Sequence, residues 1–90
     1  MDLIKLKKFY KGKKILVTGN TGFKGIWLHL ILIFLGSNVK GYSLRLKKDD
    51  NFIFYKLIKK FFKIKTQYGD ILNYNLLNKT IKSFKPEYIF

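Results

Sequence analysis

Apolar residues in this chain fall into short continuous runs alternating with helically spaced sets, and glycine or asparagine separates most of them. Ile15, Leu16, Val17 and Thr18, led in by Lys13 and Lys14, form the kind of run that a parallel sheet buries on both faces. Three glycines follow at positions 19, 22 and 25. Residues 26–35 then run on without a breaker to Gly36, which stands where a left-handed helix terminus belongs. Residues 38–43 read as a second strand, weakened by Gly41, and Lys47, Lys48, Asp49 and Asp50 make a polar loop. Asn51 is placed to cap a helix over residues 52–62, in which Ile53, Leu57, Ile58 and Phe61 recur at helical spacing. Residues 64–68 alternate as a third strand ending at Gly69 and Asp70. Asn73 then caps a further helix with Leu76, Leu77, Ile81 and Phe84 as its core face. Pro86 stops that helix, and Tyr88, Ile89 and Phe90 open a fourth strand.

The order β-α-β-α-β-α-β predicts an α/β fold, the first part of a Rossmann-like doubly wound parallel sheet with right-handed crossovers. Residues 1–12, where Lys alternates with Leu, Ile and Phe, read as a lead-in. Residues 13–90 read as a partial dinucleotide-binding domain. Because the last residues fall inside the fourth strand, the chain is expected to be the start of a longer protein.

Composition narrows the chemistry. The chain has 90 residues and no cysteine, so neither a disulfide framework nor a thiolate metal site is available, and His29 is its one histidine. Lysine and arginine outnumber acids by 19 to 5, a net charge of +14. Such a charge invites a nucleic-acid or anionic-membrane reading. The cations, however, are almost all lysines scattered from Lys5 to Lys85, whereas base reading leans on arginine forks. Abundant Lys, Ile, Asn, Phe and Tyr also match an AT-rich coding bias. No specific nucleic acid is expected as a partner, and no membrane either, since residues 26–35 are half the length of a span of about 20 residues. A cytoplasmic protein is the expectation.

The glycine turn carries the candidate chemistry, because it directly follows an apolar strand and directly opens a helix. Gly19 suits a tight turn, Gly22 would let main chain approach a pyrophosphate, and Gly25 would let the helix pack closely on the sheet. The helix start then offers free N–H groups to the phosphates. The plain alternative is a glycine-rich turn with no ligand.

The spacing Gly-x-x-Gly-x-x-Gly resembles the extended branch of the short-chain dehydrogenase/reductase superfamily, which acts on nucleotide sugars. Within it, the run from Gly12 to Leu28, with Thr21, Gly22, Phe23, Lys24, Gly25, Trp27 and Leu28, is similar to the CDP-glucose 4,6-dehydratase family. Gly41 to Leu44, Gly69 to Ile71 and Phe84 to Phe90 agree in order and spacing.

The resemblance implies NAD as cofactor, its pyrophosphate cradled by Gly19, Asn20, Thr21, Gly22, Phe23, Lys24 and Gly25, with N–H groups from Phe23 and Lys24. It also implies Asp70 and Ile71 at the adenine; a cap or turn role is the alternative for Asp70. Ser43 is a candidate partner for a ribose hydroxyl, and Arg45 for the extra phosphate of NADP. The resemblance further implies CDP-glucose as the nucleotide-sugar substrate of the whole enzyme, a homo-oligomer, and a place in surface-polysaccharide synthesis. No catalytic or metal-binding residue is assigned. Tyr55 and Lys59 have the spacing of the superfamily's catalytic pair but lie between strands two and three, the wrong place for it, and the chain alone is expected to be inactive. His29 reads as a packed or partly exposed histidine, and Trp27 as a core or interface residue. Another dehydratase or epimerase of the superfamily, a small basic binding protein, and a fragment that never folds are the competing readings.

Overall fold

The structure, a computed structural model, describes residues 2–45 and 50–90, except the side chains of residues 50–52. Among the described residues eight elements follow in order: α1 (Leu3–Tyr10), β1 (Lys14–Thr18), α2 (Phe23–Phe34), β2 (Asn38–Ser43), α3 (Asp50–Phe61), β3 (Thr66–Tyr68), α4 (Tyr74–Phe84) and β4 (Tyr88–Ile89). All strand pairs are parallel and the sheet order is β3-β2-β1-β4. Right-handed crossovers in that order put α2 and α3 on one face and α4 on the other.

β1 is central, and its Ile15, Leu16 and Val17 are all buried. Ile15 and Val17 pack with Leu32 and Val39 under α2, while Leu16 points to the opposite face by the two-residue period of a strand. α2 ends as its sequence suggests. Gly36 takes φ +88°, its N–H donates to Ile33 O (2.9 Å) and that of Ser37 to Leu32 O (3.0 Å), so the last turn is closed by its own backbone. α4 is capped by Asn73, whose side chain accepts from Leu76 N at 3.2 Å, and it stops at Lys85 in front of Pro86.

Four expectations need correction. The lead-in contains a helix, α1, capped by Asp2, whose carboxylate accepts from Ile4 N (3.0 Å) and Lys5 N (3.3 Å). It docks rather than dangles: Tyr10 packs on the Ile15 cluster, Ser37 Oγ donates to Tyr10 O (2.7 Å), and Gly12 N donates to Gly36 O (2.9 Å). α3 starts at Asp50, so Asn51 falls inside it. Its inward face is Phe54, Tyr55 and Ile58, packed with Ile26 and Ile64, while Ile53, Leu57 and Phe61 are exposed. The expected core stripe of α4 is only half-covered, and Thr80 is that helix's buried residue. Of the core and interface roles expected for Trp27 the core one is removed: at 46% exposure it lies at the surface, with ring centres 6.4 Å from Phe23 and 6.0 Å from Phe54. The polar loop expected at Lys47, Lys48 and Asp49 lies outside the described residues.

Candidate functional site

The turn joining β1 to α2 explains its three glycines in three different ways. Gly19 takes φ +70°, a conformation that side chains oppose, and its N–H donates to Tyr42 O at 2.9 Å. Gly25, one turn into α2, lies so close to the Gly19 carbonyl that any Cβ there would collide with main chain. Gly22 has neither constraint. Its φ is −75°, and a Cβ would meet nothing nearer than Gly19 O at 3.4 Å, an ordinary contact. Its bare backbone faces a cavity instead. As the N-cap of α2 it supplies no side-chain hydrogen bond, so the first turn of the helix is uncapped by any side chain.

That cavity, about 450 Å³, opens at the carboxyl ends of the strands. Thr18, Gly19, Thr21 and Gly22 line it from the turn after β1, Tyr42, Ser43 and Leu44 from the end of β2, and Gly69, Asp70 and Ile71 from the turn after β3. Six of the ten residues expected at a cofactor therefore meet here: Gly19, Thr21, Gly22, Ser43, Asp70 and Ile71. Phe23, Lys24 and Gly25 lie beside it in the first turn of α2, and only Gly25 has its role explained by packing.

The polar groups have defined hydrogen-bond directions. Thr21 Oγ1 donates to Leu44 O (3.1 Å), so the short 2.6 Å contact between Thr21 Oγ1 and Ser43 Oγ is donated by Ser43. Ser43 thus keeps only acceptor capacity towards a ligand. Asp70 works as a turn residue, with Oδ1 accepting from Leu72 N (2.9 Å) and its carbonyl from Tyr42 Oη (2.8 Å), and it lines the cavity as well. Arg45 lies over the Tyr68 ring, 4.2 Å from its centre.

Asn20 turns away from the cavity. Its side chain is fully buried beneath the turn, where Nδ2 donates to Thr66 Oγ1 (2.8 Å) and lies 3.2 Å from His29 Nδ1. Gly41 makes the room, since a Cβ there would collide with the Asn20 amide. What looked like a weak point in β2 is a socket. Tyr55 Oη joins the same cluster at 2.8 Å from Thr66 Oγ1, facing inward and away from the cavity, which separates it from any catalytic Tyr-x-x-x-Lys role. Burial lowers the His29 pKa to about 4 and raises that of Tyr55 to about 12, the hydrogen bond with Thr66 opposing the rise and Tyr68 adding to it. Sequence reasoning missed this cluster, although a glycine inside a strand signals close approach by another group.

A second cavity, about 440 Å³, lies at the opposite ends of the strands, where Lys14, Lys40 and Lys65 gather with Phe84. Among the described residues no three His, Cys, Asp or Glu side chains are placed to hold a metal ion, and no helix is long and apolar enough to cross a membrane.

A parallel sheet in the order β3-β2-β1-β4, with a glycine turn feeding a helix after β1 and a cavity at the carboxyl ends, defines a Rossmann-like α/β domain. Comparison with known proteins makes this more particular. The chain is 38% identical over 84 residues to CDP-glucose 4,6-dehydratase of Salmonella typhimurium strain LT2, a match covering 93% of this chain and 23% of that protein. It is therefore related to that dehydratase over nearly all of its length. Among solved structures it is similar to epimerase Mth375 of Methanothermobacter thermautotrophicus, with TM-score 0.70 and 26% identity, covering 98% of this chain and 24% of that one. A protein of Burkholderia cenocepacia J2315 assigned as an epimerase shares the fold at TM-score 0.63 and 19% identity, covering 89% of this chain and 24% of that one. No protein-family model matches. The chain spans about a quarter of the length of each of these relatives. The dehydratase and the Mth375 epimerase are thus similar to this chain in sequence, and the Burkholderia protein shares its fold.

Proposed function

We propose that the chain is the NAD-binding part of a CDP-glucose 4,6-dehydratase. The observation that carries this reading is Gly22, a glycine that neither backbone conformation nor internal packing demands, with its open side towards a cavity at the start of an uncapped helix. A diphosphate fits that arrangement: main chain approaches it without a Cβ between, and the N–H groups of Phe23 and Lys24 with the positive end of α2 face it. Ser43, left as an acceptor, receives a hydrogen bond from a ribose hydroxyl. Asp70 and Ile71 flank the adenine, Ile71 supplying exposed apolar surface against the ring. The end of β2 carries no acid for the ribose hydroxyls and Arg45 stacks on Tyr68, so the choice of NAD over its 2′-phosphorylated form rests on the resemblance to the dehydratase family. When bound, NAD supplies a hydride acceptor and donor for the sugar, CDP-glucose, of the whole enzyme. No proton-transferring group is assigned among these 90 residues, so the chain alone is expected to turn over no CDP-glucose.

Calorimetric titration tests the reading. NAD is expected to bind the chain, NADP at least tenfold more weakly, and Gly22→Val to lose NAD while keeping the helical and strand signal. Equal binding of NAD by the valine variant would contradict it.

A further inference from the structure

The fully buried Asn20 side chain has no contact with the cavity, yet it springs from the middle of the turn that forms one wall. Its amide ties that turn to two other elements at once, α2 through His29 and β3 through Thr66. Gly41, from a third element, is shaped around it. We propose that His29 is a positioning residue for the dinucleotide site: through the Asn20 amide it holds the turn from Gly19 to Gly22 in the shape that receives a diphosphate. The proposal rests on the reading of the cavity given above.

Hydrogen-bond chemistry makes the link directional. Nδ2 of Asn20 can only donate, so Nδ1 of His29 must accept, which fixes the neutral ring with its proton on Nε2. Both His29 Nε2 and Asn20 Oδ1 are buried without a hydrogen-bond partner. Two buried polar atoms left unpaired are costly to the fold, and their retention beside the turn fits a service that packing alone does not require. An apolar residue at position 29 would fill the space and leave no orphaned atom of its own, but it would free one side of the amide. The Asn20 amide would then be held by Thr66 alone, and the turn, still tied by Gly19 N–H to Tyr42 O and by Thr21 Oγ1 to Leu44 O, would lose its anchor on α2.

The test uses the whole 90-residue chain. His29→Leu is expected to weaken NAD binding about fivefold, the loss of roughly one hydrogen bond. His29→Gln, whose side-chain carbonyl can accept from Asn20 Nδ2, is expected to restore affinity to within about twofold by the same reasoning. Asn20→Ala should weaken binding like His29→Leu, and adding His29→Leu to it should change nothing further. Affinity is read on protein shown to be folded by circular dichroism, so melting temperature and affinity are separate readouts. Nitrogen chemical shifts of the unliganded chain should show His29 Nδ1 without a proton. A folded His29→Leu variant that binds NAD as tightly as the unaltered chain, or effects that add in the double variant, would overturn the positioning role. Should His29→Leu not fold, Asn20→Ala binding as tightly as the unaltered chain would overturn it equally. If the unaltered chain does not bind NAD, the reading of the cavity falls instead, whatever the ring shifts show.

Discussion

At residue 25 a methyl group would collide with the Gly19 carbonyl; at residue 22 it would only touch that carbonyl, at 3.4 Å. Gly25→Ala is therefore expected to destabilise the fold by about 1–3 kcal/mol through overpacking, whereas Gly22→Ala should change stability by less than about 1 kcal/mol and act on ligand affinity. Thermal melts of the two variants with and without NAD separate the cases. Gly41→Ala should cost a similar amount to Gly25→Ala, but Asn20→Ala removes the atoms it would strike. The double variant is expected to be more stable than the sum of the single changes, a coupling that denaturant unfolding can measure.

His29 adds a pH dependence with a defined sign. Its pKa in the fold, about 4, lies below the ordinary 6.5 because the charged ring is buried away from water. The fold thus prefers the neutral ring. That contribution is complete above about pH 6.5 and is lost as pH falls towards 4. Melting temperature should drop across that window in the unaltered chain and drop less in His29→Gln.

Among the elements, those with punctuation at both ends were the legible ones. The run from Ile15 to Thr18, the stop at Gly36 and the cap at Asn73 each declare themselves through one residue type in one conformation. Asn73→Ala is accordingly expected to cost about 1 kcal/mol of stability, measurable as a shift in the unfolding midpoint. α1 was hidden because Ile4 to Lys7 alternates apolar and basic residues like a strand, while its helical signals, Asp2 as cap and Leu6 with Tyr10 four residues on, are sparse. For α3 the helix was legible but its inward face was not. Hydropathy favours Ile53, Leu57 and Phe61, yet Tyr55 goes inside because its hydroxyl finds Thr66. Ile64, expected as the first residue of the third strand, is instead a buried plug against α3 ahead of β3.

The same distinction holds for the site. Glycines, Ser43, Asp70 and Ile71 are brought together because strand order alone carries the loops after β1, β2 and β3 to one end of a parallel sheet. The inward turn of Asn20 depended on a side-chain rotation and a socket in a neighbouring strand, neither of which spacing encodes.

For the whole molecule, the two ends of the sheet differ in kind. One end presents bare main chain, hydroxyls and a carboxylate; the other gathers Lys14, Lys40 and Lys65. A protein acting through its net charge of +14 would take anions at the lysine end and do so less as salt rises. A dinucleotide-binding domain takes its ligand at the glycine end. Amide-resolved nuclear magnetic resonance during a titration with NAD separates the two most directly. Shifts at Gly19, Thr21, Gly22, Ser43, Asp70 and Ile71, with Lys14, Lys40 and Lys65 unmoved, are the result expected here. Shifts confined to the lysine end, or none at all from a folded chain, would contradict it.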